Sequence, residues 1–538
     1  MHELPAEAPA APRERAPAPR LPDRLLTLAA LLFGLATVFY PFGGDQGLYY
    51  YVGREWLAGS VPYRDAMEQK TPLVFLLHAL LVFVTGQNMW AIRVAELAWV
   101  VVVGLAVADL ASPAGEPRRP GARGLAALAV SLLYFGLFNY WDTAQCEIWY
   151  AGLSLFSLRA VVRRPAGPRS WWVAGLFGGL ALLMKPPAAP LLALVVGVML
   201  VRAVGASAPG AGRKAALGAL AAFGAGASLP LALVALYFLG AGGLAHLVDL
   251  AFRANYHDMI HSSTVSGPSD VLRRIGDAAS RMGPLAPSIL VLTLLGTGSS
   301  LRRRRSLGEN RYALGLLLLV AGCLAVVMQR KFYGYHWGAL APLMALPLVC
   351  LGVDLERTLA RRPGSHPGLG PALVAMLLLA GFATTGPARD YARTASLTGQ
   401  YLLGRIDRAA FLAPFALDHN TPYAQQEVVG RWIARHSSPT DEVAVRGFEQ
   451  VVYAVARRRS PTRFFWTRWL TEPRRAYRRE EWLAEDRNAL ERRPPRYVVV
   501  NLRAREGPAS RAHFEALGYV ERFRHERLTV LERRPTGT

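Results

Sequence analysis

Apolar residues gather along this chain in blocks longer than a buried strand or a half-buried helix requires. The blocks fall at 25–40, 91–109, 124–138, 149–162, 171–184, 187–203, 216–240, 285–299, 312–328, 337–353 and 371–386. A bilayer crossing takes roughly 17 to 25 apolar residues, so the pattern predicts about eleven transmembrane helices. The block at 25–40 has no small-residue cleavage site after it and reads as a retained span, with Arg13, Arg15, Arg20 and Arg24 holding its amino end in the cytoplasm. Residues 1–23, rich in Pro, Ala and Arg without periodicity, are expected to be a disordered cytoplasmic terminus.

Basic clusters test this count. Arg118, Arg119 and Arg123; Arg163, Arg164 and Arg169; Arg202, Arg213 and Lys214; Arg302 to Arg305; and Arg357, Arg361 and Arg362 fall in alternate loops. The positive-inside rule places all five in the cytoplasm. The loops at 41–90, 139–148, Lys185, 241–284 and 329–336, with everything after 387, are then extracytoplasmic. This parity holds only if Thr71 to Thr85, TPLVFLLHALLVFVT, does not cross. The segment is short for a span and His78 interrupts it, so it reads as a helix lying along or dipping into the outer leaflet.

From 387 to 538 the apolar blocks give way to charged and aromatic sequence. Residues 421–436 have helical amphipathicity, and 443–445, 462–466, 497–501 and 528–532 read as strands. The expected architecture is a polytopic α-helical membrane domain over 24–386, followed by a small soluble α/β domain.

Of the 538 residues, 52% are hydrophobic, and the formal net charge is +23. With that share gathered into so many long apolar runs, a soluble core cannot bury them all. The charge punctuates apolar runs and forms no basic stripe beside aromatics, which argues against nucleic acid. Cys146, Cys323 and Cys350 have no metal-ligand spacing, so neither a disulfide framework nor a metal centre is indicated. A divalent ion is conceivable but has no support in the sequence.

Against that basic background, Gly43 to Pro72 stands out: Asp45, Glu55, Asp65 and Glu68 face Arg54, Arg64 and Lys70. Gly43 and Gly44 let the chain turn out of the bilayer. Leu48, Val52 and Trp56 recur at helical spacing, predicting a surface helix with one face on lipid. Asp45 at its start has two readings, a helix cap or a catalytic acid. Asp142 and Glu147 in the second outer loop, NYWDTAQCEIWY, are either a polar cap on two helices or acids that position an attacking hydroxyl. Lys70, Lys185, Arg330, Lys331, Tyr333, Tyr335 and His336 lie on the same side. Singly they are snorkelling anchors; together they suit a lipid-linked phosphate. Glu55, Asp65 and Glu68 read as surface or supporting residues.

In that order, the acid, surface helix, PYRD, Lys70-Thr71-Pro72, Lys185-Pro186-Pro187 and RKFYGYHW resemble the GT-C membrane glycosyltransferases over about residues 20–390. The nearest branch is that of bacterial protein O-mannosyltransferase and aminoarabinose-transferase relatives. The resemblance implies an inverting transfer of a sugar from a polyprenyl-phosphate donor to an acceptor hydroxyl on a glycan, lipid or protein, at the extracytoplasmic face of a bacterial inner membrane. It assigns the base to Asp45, with Glu147 or Asp142 assisting, and the lipid phosphate to Lys70, Lys185, Arg330, Lys331, Tyr333 and His336. Two departures stand out. Many relatives carry Asp-Glu where this chain has Asp45-Gln46, and Lys-Pro-Pro where it has Lys70-Thr71-Pro72. A transporter or flippase of lipid-linked saccharides is the alternative. It calls for ionisable groups near the midplane and repeated halves, whereas the charges here crowd one face and no repeat is seen. A saccharide polymerase or ligase would not need an acid directly after the first span.

Overall fold

The computed structural model describes residues 21–113, 116, 118–302, 310–415, 422–472 and 477–534. The segment 1–20 and Arg303 to Arg305 lie outside the described residues. The first run forms α1 (Leu21–Leu35), closed by a 3-10 turn. The chain then enters α2 (Gly44–Leu57) and α3 (Pro72–Thr85). The bundle continues with α4 (Ala91–Ala111), α5 (Ala122–Phe135), α6 (Cys146–Arg163), α7 (Pro168–Met184), α8 (Ala189–Gly205) and α9 (Gly212–Gly240). A connection of α10 (Leu244–Leu247), a π-helical stretch, α11 (Asn255–His261) and α12 (Pro268–Arg281) leads to α13 (Leu285–Arg302), α14 (Arg311–Met328), α15 (Leu340–Leu359) and α16 (Leu369–Ala383).

Each of the eleven apolar runs is a helix. Seven helices among the described residues are long and apolar enough to cross a bilayer, or eight if α16 is joined to the helix after it. Of the rest, α5 and α6 are buried along most of their length. A helix screened by its neighbours needs less length and hydropathy than one facing lipid. This is an integral membrane protein. Small residues let its helices close up: Gly175 and Gly179 of α7 lie against the backbone of Phe223 and Ala227 of α9, where a Cβ would collide.

The charged loops at one end of the bundle are tied by ion pairs. Asp109 holds Arg118 and Arg159, and Arg311 meets Asp354 at 2.7 Å. The other end carries the polar loops and the C-terminal domain. α17 (Gly386–Leu402) leaves α16 at 92°, with Thr385 capping it through Ala388 N–H, and α18 (Arg408–Leu412) follows. The domain comprises α19 (Tyr423–His436), β1 (Val443–Arg446), α20 (Val451–Ala456), α21 (Arg468–Thr471), α22 (Arg479–Arg492), β2 (Tyr497–Asn501), α23 (Gly507–Ala516), β3 (Tyr519–His525) and β4 (Leu528–Arg533). The sheet runs β1-β2-β4-β3, parallel between β1 and β2 and antiparallel elsewhere.

Three expectations change. Residues 462–466 form no strand: Arg463 C=O takes the Met67 N–H at 2.8 Å and Phe465 stacks on Tyr51 at 4.3 Å, so this apolar stretch is an interdomain contact. The strand β3 went unseen because charged residues alternate through it. Leu48 and Val52 are buried, not turned to lipid, in α2, which packs against both α3 and α20 of the C-terminal domain. Glu55 and Glu68 are also buried, Glu55 paired with Arg54 at 2.7 Å and with Arg459 at 2.6 Å.

Candidate active site

Asp45 sits in the first turn of α2, where helix-end N–H groups favour an anion. It is not the cap: that position is Gly43, which contributes no side chain. Its carboxylate takes a hydrogen bond from Gln145 Nε2 at 3.3 Å, and Gln145 Oε1 accepts from the Tyr49 hydroxyl at 3.0 Å. Next to it, the buried Gln46 directs its amide nitrogen at the carbonyls of Tyr140, Trp141 and Thr143, at 3.4, 3.0 and 2.6 Å. A glutamate there would have no hydrogen to donate, so Gln46 is a staple between the first and second polar loops.

The cations come from three directions. Lys70 follows the buried Glu68, with Nζ 3.9 Å from its carboxylate and 5.9 Å from the Tyr49 ring centre. Burial pulls the Lys70 ammonium down, but Asp45 and Glu68 outweigh it and hold the group above the ordinary lysine range. Burial pushes the Glu68 carboxyl up to about 7, against Lys70. Lys185, extended at the end of α7, forms an ion pair with Glu147 and lies 5.2 Å from the Tyr335 ring centre. Thr71 Oγ1 donates to Met184 C=O at 2.9 Å, which brings the two lysine-bearing segments side by side.

The RKFYGYHW block closes the third side. The buried His336 lies within electrostatic range of Lys70, Lys185 and Lys331, and Tyr333 packs 5.4 Å from its ring. Asp142 rests against Gly334, where a side chain would strike its carboxylate, and accepts from Tyr335 N–H. Burial pushes the Asp142 carboxyl up to about 7, opposed by Arg281 and that hydrogen bond. Lys331 turns to the rim and pairs with Asp258 of α11. Arg330 is exposed, and its backbone C=O takes the Thr264 N–H at 3.1 Å. Asp45, Asp142, Glu147, Lys70, Lys185, Tyr333 and His336 are therefore gathered at one centre, Lys331 borders it, and Arg330 stands apart. No cluster of three or more metal-ligating side chains occurs among the described residues.

This arrangement can be set beside known proteins. Residues 69–227 match the family model described as dolichyl-phosphate-mannose-protein mannosyltransferase. The whole structure resembles the crystal structure of ArnT from Cupriavidus metallidurans bound to undecaprenyl phosphate. That match has a TM-score of 0.57 at 14% identity and covers 95% of this chain and 98% of that one. The chain shares the fold of that ArnT structure. ArnT from the same organism in its apo state gives a TM-score of 0.53 at 16% identity, over 94% of this chain and 97% of that one. No curated protein matches the sequence.

In this fold the loops are held by residues that the hydropathy pattern hid. Arg93 of α4, fully buried, donates to Thr143 Oγ1 at 2.8 Å, Tyr140 C=O at 2.8 Å and Pro41 C=O at 3.0 Å. Glu96, one turn on, is 3.6 Å from Arg93, accepts from the Tyr134 hydroxyl at 2.6 Å and takes the Ala144 N–H. An Arg and a Glu three residues apart inside an apolar run were the available signal, since ionisable residues in a span carry a function by default. Gln145 and Tyr49 were also missed, because neutral side chains among aromatic residues do not stand out, and Glu68, read as a surface or supporting residue, is buried beside Lys70. Tyr63, Ala144, Arg330 and Phe332 have φ of 71°, 54°, 55° and 50°. All four lie in the site's loops, where such strain is held by surrounding contacts.

Proposed function

We propose that this protein moves a sugar from a polyprenyl-phosphate carrier to an acceptor hydroxyl at the extracytoplasmic membrane face, with inversion at the anomeric carbon. The observation that carries the reading is Asp45, oriented by Gln145, beside the converging lysines Lys70 and Lys185 at one end of an apolar helix bundle. The likeness to an ArnT structure that holds undecaprenyl phosphate supports the donor class.

The chemistry follows from the charges. The acceptor oxygen attacks the anomeric carbon and its proton passes to Asp45. The bond from that carbon to the phosphate oxygen breaks, and the electron pair leaves with the phosphate. A leaving phosphate carries its own charge and needs cations more than an acid, a task for Lys70 and Lys185, with Lys331, Tyr333 and His336 around them. Glu147 acts through Lys185, which it orients, and Asp142 braces the RKFYGYHW loop. Arg330, exposed, reaches headgroups at the rim.

This assignment puts the polar loops and the C-terminal domain, 387–538, outside, with the amino terminus and the arginine-rich loops in the cytoplasm of a bacterial inner membrane. The flippase alternative is disfavoured by the gathering of ionisable groups at one end. The test is transfer of label from radiolabelled polyprenyl-phosphate sugars to membrane extract by purified wild type and Asp45→Asn. Label should move with wild type alone, and equal transfer by both overturns the role of Asp45.

A further inference from the structure

Besides the lysines, the turn that carries Asp45 has aromatic neighbours. Gly43 and Gly44, just before Asp45, carry no side chain because rings lie on them. A Cβ on Gly43 would come within 2.7 Å of the Trp141 indole, and one on Gly44 within 2.9 Å of it and into the Phe448 ring. Trp141, from the second polar loop, and Phe448, from the C-terminal domain, are both half-buried, with ring centres 6.5 Å apart at 40°. Behind Phe448 stands the buried Trp466, edge-on at 5.3 Å. The shelf is anchored to the catalytic helix: Gln450 Nε2 donates to Gly44 C=O at 2.7 Å, and the Gln145 amide that reaches Asp45 also donates to Trp141 C=O at 3.0 Å.

Resting on the glycosyl-transfer reading above, we infer that Trp141 and Phe448 form an acceptor subsite for a sugar ring, so that the C-terminal domain supplies half of the acceptor site. The acceptor hydroxyl has to reach Asp45 while phosphate occupies the lysines, and the half-buried Trp141 and Phe448 rings and the Gln145 amide stand at the helix turn that carries Asp45. A pyranose matches that set: its C–H face packs on π faces and its hydroxyl rim meets a carboxylate and an amide. A serine or threonine side chain has no such face. No new covalent step is involved; the subsite holds the nucleophile of the transfer already described.

The test uses the full-length protein in detergent, a polyprenyl-phosphate sugar that the wild type turns over, and two acceptor panels, short alkyl glycosides and serine/threonine peptides. Phe448→Leu keeps an apolar cover over Gly44 without a π face, and Phe448→Tyr restores the face. Phe448→Leu is expected to raise the alkyl glycoside KM by about three- to tenfold, with Phe448→Tyr near wild type and with donor KM and donor hydrolysis to water unchanged in both. An unchanged acceptor KM in Phe448→Leu overturns the inference, as does a parallel loss of donor hydrolysis, which would make the ring a support for α2 alone. Transfer to peptides but not to glycosides overturns the sugar-ring acceptor while the donor reading stands. A wild type that neither transfers nor hydrolyses any donor overturns both.

Discussion

Gln145 gives one amide hydrogen bond to Asp45, at 3.3 Å, and its carbonyl end is held by the Tyr49 hydroxyl at 3.0 Å. The candidate base therefore has its direction set by a neutral side chain that is itself fixed. A general base contributes about 10²- to 10⁴-fold to rate, so Asp45→Asn should lower kcat by that order without weakening donor binding. Gln145→Leu leaves the carboxylate in place but unheld, and should lower kcat about tenfold at unchanged donor KM. Steady-state kinetics on both variants separates the two roles.

Gln46 makes a prediction about stability. Its amide serves three carbonyls in a fully buried position, and glutamate would set an anion against those oxygens. Gln46→Glu is expected to cost about 1–3 kcal/mol and to lower Tm in detergent. Restoring the Asp-Glu pair common in relatives should therefore damage this chain, and a Tm equal to wild type would show that the staple is not needed.

The bundle was legible in sequence because a span must satisfy its own backbone and cover it with apolar side chains, which leaves a long, unambiguous pattern. Asp45, Lys70 and Lys185 were legible because charge at the end of such a run is conspicuous. Arg93 and Glu96 were hidden inside a run, since a bundle interior tolerates an ion pair that its lipid face would not. The strand β3, YVERFRH, was hidden for the opposite reason: its exposed face is charged, and its pairing with β4 is a long-range fact that local alternation does not carry. The apolar stretch 462–466 was read as a strand because periodicity cannot tell sheet pairing from packing against another domain.

Glu68 predicts a pH dependence. Burial raises its carboxyl to about 7, so the folded state binds its proton more tightly than the unfolded chain. The associated stability is complete below the ordinary glutamate range near 4 and is lost as pH rises through about 7. The anion formed there lies 3.9 Å from Lys70 and weakens any phosphate bound to it. Polyprenyl phosphate affinity should fall between about pH 6 and 8 in wild type, and Glu68→Gln should flatten that fall. A titration of binding against pH in both proteins decides it.

Arg93 and Glu96 should behave as one unit. Removing either leaves a buried charge unpaired and frees polar groups in the loops that frame Asp45, at about 3–5 kcal/mol. The pair replaced together, Arg93→Met with Glu96→Leu, should cost less than the sum of the single changes, because no unpaired charge remains. Thermal unfolding of the three variants gives that coupling directly. Tm losses that simply add would show that the two side chains act independently.

Lys185 and the buried Glu147 are a pair of another kind, because the proposed substrate competes for the partly exposed lysine. In Glu147→Ala the ammonium has no carboxylate, and the empty protein should lose about 3–5 kcal/mol. A phosphate placed at Lys185 supplies the missing charge, so polyprenyl phosphate should recover part of that loss. The rise in Tm on adding it is then larger in Glu147→Ala than in wild type, because a ligand stabilises in proportion to its preference for the folded state. In Lys185→Ala the rise should shrink below wild type, since the cation that would hold the phosphate is gone. Melting curves of the three proteins with and without polyprenyl phosphate provide the check. Equal Tm rises in all three would place the phosphate away from Lys185.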